Sequence, residues 1–536
     1  MPIPKLIVVG LDAATFDVID PLVEAGDLPN LGGLLQRGAR GTLRSTTHPL
    51  TPLAWTTMVS GVNAGKHGIW DFSERDAGGY ALQVVNGSHS RAPALWARLS
   101  QAGRRVGIVN VPFTWPAPDV NGFALAGIDS AAREDGMTSP RGLVHEIQEQ
   151  FGRLLLDHSF PVDSDGRLDL DLVRRASEQK VAIVEWLAER YDPELLFVVF
   201  MAADHVHHLA WPDWEARGRE STVAEAYRIL DASLGRLLES VDDETNVLVV
   251  SDHGGGSLHG VVNLNAWLAE QGYLAYGENG NGGGAHKLFE LRRKLPKEWR
   301  YSLKQRLPRL RERTYRLRAP TVVDWSRTRA FAYGIFGNIV LNVAGRERSG
   351  IVAPGDEYER LRDELRERLL DLRSPEGEPI VAAVHKREEL YAGPELDKIP
   401  DLIVEFRDYA WLGKGNLTRR TAPFEDAISI RAHPDQHYAG GHRAEGIFVL
   451  AGPDARVGAE LAGAGIADVA PTVMYLLGEP VPAAFEGRLL AEALEPALLD
   501  ERPLRFDDEE EAAPVVAERE SPRDVEERLR SLGYLE

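Results

Sequence analysis

Five short stretches of this chain carry side chains that can do chemistry, and they lie far apart in sequence. The first ends an apolar run, Leu6-Ile7-Val8-Val9-Gly10-Leu11, in Asp12. A carboxylate just past the carboxyl end of a buried strand stands where open α/β sheets bind ligands, although a helix-capping Asp gives the same pattern. The second is Thr51, followed by Pro52 and a short apolar run to Gly61. Pro suits the first helical position and Thr the cap before it, so the residues predict a helix from Thr51 to about Ser60. The hydroxyl would then face free backbone N–H groups and the positive end of the helix dipole. That setting suits an alkoxide or a phosphate oxygen; a capping Thr without chemistry fits the same residues.

The other three stretches are rich in metal-ligand types. Asp204 and His208 follow the apolar run Leu195–Met201, and a spacing of four puts them on one face of a helical turn, where they can share an ion. Asp252-His253 follows Asn246–Ser251 and precedes a Gly run that lets backbone approach a bound anion or metal closely. Adjacent Asp and His can both face inward in the turn after a strand. His442 lies in Gly440-Gly441-His442-Arg443, expected as a Gly-flanked turn before the strand Ile447–Gly452. It can complete a metal site or be an ordinary loop histidine.

The elements that must position these residues read as alternating strands and helices. Continuous apolar runs at 6–11, 195–201 and 246–250 have the signature of central parallel strands. Helical periodicity appears over Leu22–Gln36, 171–190, Val223–Leu238, 357–372 and 466–477. Further strands are expected at 107–111, 330–333, 338–343 and 401–406.

Composition narrows the function classes. The chain has 536 residues, 43% hydrophobic, and a formal net charge of −21, which argues against general nucleic-acid binding. The mean hydropathy of −0.25 and the lack of an apolar run near ~18–20 residues argue against a membrane span. With no cysteine, disulfides, thiolate-held zinc and a thiol nucleophile are excluded, and any metal falls to His, Asp and Glu. The first apolar run is too short for a signal peptide, so a cytoplasmic setting is expected.

Assembled in order, Asp12, Thr51, Asp204 with His208, Ser251-Asp252-His253-Gly254 and His442 resemble the alkaline phosphatase superfamily. Within it the likeness is to the type I phosphodiesterase/nucleotide pyrophosphatase and cofactor-independent phosphoglycerate mutase branches, over roughly residues 5–270 and 320–495. The closing Ile466–Leu477 and Gly487-Arg488 belong to the same resemblance. It implies a three-layer α/β sandwich with a largely parallel sheet. It also implies two divalent ions, zinc or manganese. Asp204, His208 and His442 would hold one; Asp12, Asp252, His253 and the Thr51 oxygen would hold the other. Thr51 would form a phospho-threonine intermediate, as in two-metal phosphoryl displacement. His437 is the rival to His442, whose Gly-Gly-His-Arg setting fits the family turn better.

Departures from the family refine the expectation. Thr51-Pro52-Leu53-Ala54-Trp55 lacks the Cys/Ser-Pro-Arg arrangement of sulfatases. After His67-Gly68-Ile69 stands Trp70-Asp71-Phe72, without the Asn by which nucleotide pyrophosphatases grip a phosphate oxygen. Lys66, Asn110 or Arg443 can stand in for that donor. The main expectation is therefore a phosphodiesterase acting on a small phosphate ester. A phosphomutase or phosphotransferase on the same site, and a non-enzymatic scaffold, are the alternatives.

The expected organisation is a core of residues 1–272, a basic helical insertion or lid at 273–322, the rest of the core at 323–495, and an acidic tail at 496–536. The tail is expected to be mostly disordered, with an amphipathic helix at 523–535. Residues 287–318 hold thirteen Lys/Arg against three Glu, with Leu and Trp every three or four residues. They fit a solvated basic face of a packed insertion, a lid over an anionic substrate, or peripheral membrane contact.

Overall fold

The structure, a computed structural model, describes residues 4–76, 78–127, 136–155, 168–239, 241–277, 323–417, 421–425, 429–430 and 433–507. Most of the expected insertion, the acidic tail beyond 507 and its terminal helix lie outside these residues.

Strand Leu6–Leu11 shows how the sheet is covered. Leu6 and Val8 belong to one apolar cluster, Ile7, Val9 and Leu11 to another. A strand apolar at every position must be shielded on both faces. Helices Phe16–Glu24, Pro29–Gln36, Leu170–Tyr191 and Thr222–Leu238 shield one. Helices Thr51–Ser60, Leu95–Gln101 and Val469–Leu476 shield the other, joined by an antiparallel sheet of Ala330–Tyr333, Asn338–Leu341, Leu402–Phe406 and Val381–Lys386. The result is the three-layer α/β architecture expected from the sequence.

Among the described residues the main sheet has nine strands. Their order is Glu460–Gly465, Gly38–Arg44, Glu445–Ala451, Asn246–Val250, Leu6–Leu11, Leu195–Phe200, Val106–Val109, Gly122–Leu125 and Thr138–Ser139. Leu6–Leu11 pairs in parallel with both Leu195–Phe200 and Asn246–Val250, and Val106–Val109 extends the parallel set. Their carboxyl ends share one edge, where the chain continues into Asp12, Asp204, Asp252 and Asn110. Glu445–Ala451 is antiparallel to Asn246–Val250, so its amino end, just after His442, lies at that edge too. Gly38–Arg44 runs against Glu445–Ala451 with Arg44 opposite Glu445, so the chain also leaves toward Thr51 there. Strand direction thus brings Asp12, Asn110, Asp204, Asp252 and His442 to one edge, from which the chain also leaves toward Thr51.

Four local expectations are corrected. The helix expected over Leu22–Gln36 is two helices, Phe16–Glu24 and Pro29–Gln36. Gly26 takes a left-handed φ of 78° between them and Pro29 starts the second, so the first cannot continue. Thr51 is not the cap of its helix; Leu50 is, with φ −122° and ψ 124°, and Pro52 occupies the second helical position. His442 is not in a turn but in strand Gly440–Arg443, paired with Gly254–Ser257, which was expected as a Gly loop. Residues 496–507, expected to begin the disordered tail, form helix Pro496–Glu501 and a strand at Phe506–Asp507 against Val481–Pro482.

Ser251 ties the strand ends together. Its hydroxyl donates to the Ala14 carbonyl at 3.0 Å and accepts from the Ile447 N–H at 2.8 Å, fully buried. Gly446 makes room, since a Cβ there would lie 2.5 Å from Ser251 Oγ. Ser251→Ala leaves both backbone groups unpaired and is expected to lower stability by about 1–3 kcal/mol. Urea unfolding measures it; an unchanged midpoint would contradict the tie.

Candidate functional site

Helix Ala202–Arg217 starts directly after strand Leu195–Phe200, and its first turns present Asp204 and His208 on one face. Asp204 Oδ1 lies 3.3 Å from His208 Nε2 and 3.3 Å from His442 Nε2, and the two imidazole nitrogens are 3.1 Å apart. His442 reaches them from the ribbon Gly254–Ser257/Gly440–Arg443. The glycines let that ribbon lie against the helix: a Cβ on Gly255 would be 2.1 Å from His207 Nδ1, and one on Gly440 2.3 Å from the His207 carbonyl.

Asp12, Asp252 and His253 form a second triad. His253 Nε2 stands 3.3 Å from Asp252 Oδ2 and 3.7 Å from Asp12 Oδ1. In each triad the three donor atoms lie within 4.8 Å of one another, and all six residues are buried. The His253 and His442 rings stack at 3.8 Å, so the triads are neighbours.

The hydrogen bonds set the tautomers. Nδ1 of His208 is 2.9 Å from the Gly440 carbonyl, Nδ1 of His442 2.5 Å from the Pro49 carbonyl, and Nδ1 of His253 3.0 Å from the Gly254 carbonyl. A carbonyl only accepts, so each Nδ1 carries a proton and each Nε2 is the ring nitrogen that points into its triad. Asp252 Oδ2 and His253 Nε2 are buried and have no hydrogen-bond partner among the described residues. Burial, then the Asp204 charge, pushes the Asp252 carboxyl well above its ordinary range. Burial, then His442, holds His253 well below the ordinary imidazole value. Burial opposes ionisation of Asp204 too, yet the His208 charge and hydrogen bonds from His208 and His442 hold its carboxyl well below the usual range, and against burial Asp204 raises His208 above the ordinary imidazole value. Three carboxylates buried beside three imidazoles, with ligand atoms converging, call for a compensating cation. The donor set, nitrogen and oxygen without sulfur, fits a divalent ion such as zinc or manganese at each triad.

Thr51 is buried at the amino end of its helix, and its hydroxyl makes no hydrogen bond to a described residue. Two residues before it, the Pro49 carbonyl holds His442 of one triad. Four residues after it, Trp55 Nε1 donates to Asp12 Oδ2 of the other at 2.8 Å. The segment carrying Thr51 is therefore fastened to both triads.

The three candidate phosphate donors are dispersed. Lys66 ion-pairs with Glu486 at 2.8 Å and is well exposed. Asn110, with a left-handed φ of 60°, is buried and donates from Nδ2 to the Val199 carbonyl at 3.0 Å. Arg443 donates to the His442 and Ser257 carbonyls at 2.8 and 2.5 Å, which braces the ribbon. The side chain of His437 lies outside the described residues.

The chain matches the type I phosphodiesterase/nucleotide pyrophosphatase family over residues 6–425. No curated protein matches it. Among solved structures it is similar to phosphonoacetate hydrolase from Sinorhizobium meliloti 1021, at 16% identity and a TM-score of 0.55, over 89% of this chain and 95% of that one. It is also similar to murine and human ectonucleotide pyrophosphatase/phosphodiesterase 5, each at 16% identity and a TM-score of 0.50, over 92% of this chain and 100% of theirs. These likenesses speak to the fold.

Two structural residues of the site were not singled out in the sequence. Tyr227 OH accepts from Thr15 N–H at 3.3 Å and is 3.2 Å from His207 Nε2, which ties the loop after Asp12 to the Asp204 helix. His67 is the counter-example to the triad histidines. Its Nδ1 accepts from Ile69 N–H at 3.1 Å, so Nε2 carries the proton and donates to Thr57 Oγ1 at 3.0 Å. That is the opposite tautomer, and His67 braces the Thr51 helix.

Burial pushes His67 down to about 3. The unfolded chain takes up a proton near pH 6.5 that the native imidazole refuses until about pH 3. The stability His67 contributes is thus present above pH 6.5 and falls with acidification, by about 1.4 kcal/mol per pH unit. His67→Gln, which keeps a donor, is expected to flatten the stability–pH slope by about one proton between about pH 6 and pH 5. Urea unfolding across that window checks this, and an unchanged slope would contradict a neutral buried His67.

Proposed function

Because the chain belongs to the type I phosphodiesterase/nucleotide pyrophosphatase family, we propose that this phosphoric-ester hydrolase cleaves a phosphodiester with Thr51 as nucleophile. The observation that carries the reading is the double fastening of the Thr51 segment, Pro49 to His442 and Trp55 to Asp12. A nucleophile held in fixed relation to two cation-demanding triads is the arrangement that in-line phosphoryl displacement needs.

Asp204, His208 and His442 would hold one divalent ion, and Asp12, Asp252 and His253, with the Thr51 oxygen, a second. Nitrogen and carboxylate donors favour zinc, with manganese the alternative. When bound, such ions lower the pKa of a nearby hydroxyl or water and neutralise charge on phosphoryl oxygens. The chain's own part is as follows. The helix start sets a positive potential at Thr51 Oγ1. Thr51 Oγ1 adds to phosphorus as the bond to the leaving oxygen breaks, and the proton lost by the hydroxyl is balanced by one taken up by the leaving alcohol. Water then attacks the phospho-threonine, supplying the oxygen of the released phosphate monoester and the proton that restores Thr51. Because His442 completes a triad begun by Asp204 and His208, residues 1–272 and 323–495 are read as one catalytic core around an insertion at 273–322.

The test is hydrolysis of bis-p-nitrophenyl phosphate and p-nitrophenyl phosphate by zinc- or manganese-loaded protein, with metal content measured alongside. The expected result is about two ions per chain, preference for the diester, and a loss of roughly 10³-fold or more in Thr51→Ala with metal retained. Turnover that survives Thr51→Ala would overturn the nucleophile assignment. Monoester preference would overturn the diesterase reading, and a metal-free active protein would overturn the role of the triads.

A further inference from the structure

We propose that Trp55 is a positioning residue that selects which oxygen of Asp12 faces the Asp12–Asp252–His253 triad, and so sets that triad's affinity for a divalent ion. The inference rests on the metal reading above and goes beyond it, because Trp55 is not a ligand type. Indole N–H is a donor only, so it can hold a carboxylate but cannot coordinate a cation.

Trp55 is fully buried, four residues along the helix from Thr51. Its Nε1–H donates to Asp12 Oδ2 at 2.8 Å, while Oδ1 is the oxygen 3.7 Å from His253 Nε2. With one oxygen held by the indole, the other is directed at the triad. The backbone is shaped for this contact. The indole crosses strand Leu6–Leu11 at Gly10, where a Cβ would lie 2.5 Å from Trp55 Cη2. The ring also meets Phe197 edge-on, at 6.2 Å and 66°. The Asp204–His208–His442 triad makes no hydrogen bond with Trp55 among the described contacts, so the effect belongs to one triad and not to both. Partners that orient a ligand carboxylate are worth about 10- to 100-fold in metal affinity.

The test is zinc titration by calorimetry of the full chain. Wild type is expected to show two sites. Trp55→Phe keeps an aromatic ring on Phe197 but loses the donor, and is expected to weaken one site about 10- to 100-fold while leaving the other unchanged. Trp96→Phe is the control, since Trp96 also meets Phe197 edge-on, at 6.3 Å; both of its sites should match wild type. Gly10→Ala, which displaces the indole without removing it, should reproduce the selective weakening and serves where Trp55→Phe does not fold. Equal weakening of both sites, or of neither, would overturn the positioning role while the two-site reading stands. A wild type that binds no zinc or manganese would overturn that reading and the inference with it.

Discussion

Three carboxylates and three imidazoles are buried together at one edge of the sheet, with their ligand atoms turned toward one another. No buried group can be left in that state without compensation. The pressure shows in the directions of the shifts. Asp252 is driven toward its protonated form, His253 toward its neutral form, and Asp204 is held ionised by its histidine neighbours. Much of the surrounding structure serves to hold these six side chains together despite their repulsion. The three carbonyls of Gly440, Pro49 and Gly254 fix the imidazole protons on the outer side. Ser251 locks the strand ends, and the glycine ribbon brings His442 against the helix that carries Asp204.

The Thr51 helix occupies a particular place in that scheme. It is buried along its whole length, packed beside helix Val469–Leu476, and braced from behind by His67 through Thr57. Its amino end is bonded on either flank to a residue of each triad. The chain thus relates Thr51 and the two triads through short, direct contacts instead of through long loops. That relation makes a phosphoryl-transfer reading more specific than the fold alone would, since a fold hosts many chemistries and the site decides among them.

Much of this was legible in the sequence, for a physical reason. Parallel central strands are apolar at every position, so the runs before Asp12, Asp204 and Asp252 read as strands whose ends meet at one edge. What escaped was governed by groups without a side-chain pattern. Gly254–Gly256 and Gly440–Gly441 read as loops, but they pair as a ribbon, and Gly255 and Gly440 are where it lies too close to helix 202–217 for a Cβ. Thr51 read as a cap because Pro52 follows it, whereas Leu50 takes the cap geometry and the hydroxyl stays unused by the backbone. Trp55 read as one more apolar residue of a buried helix; its bond to Asp12 depends on a tertiary contact across Gly10. Among the three histidines at 205–208, spacing favoured His208, and the structure turns His207 to Tyr227 instead.

The central claim is that the buried repulsion at this edge is compensated by a divalent ion at each triad. Anomalous diffraction at the zinc edge from crystals grown with zinc addresses it directly. The account predicts two anomalous peaks, one among Asp204, His208 and His442 and one among Asp12, Asp252 and His253. Full-strength zinc bound only elsewhere on the molecule, with neither triad marked, would contradict it.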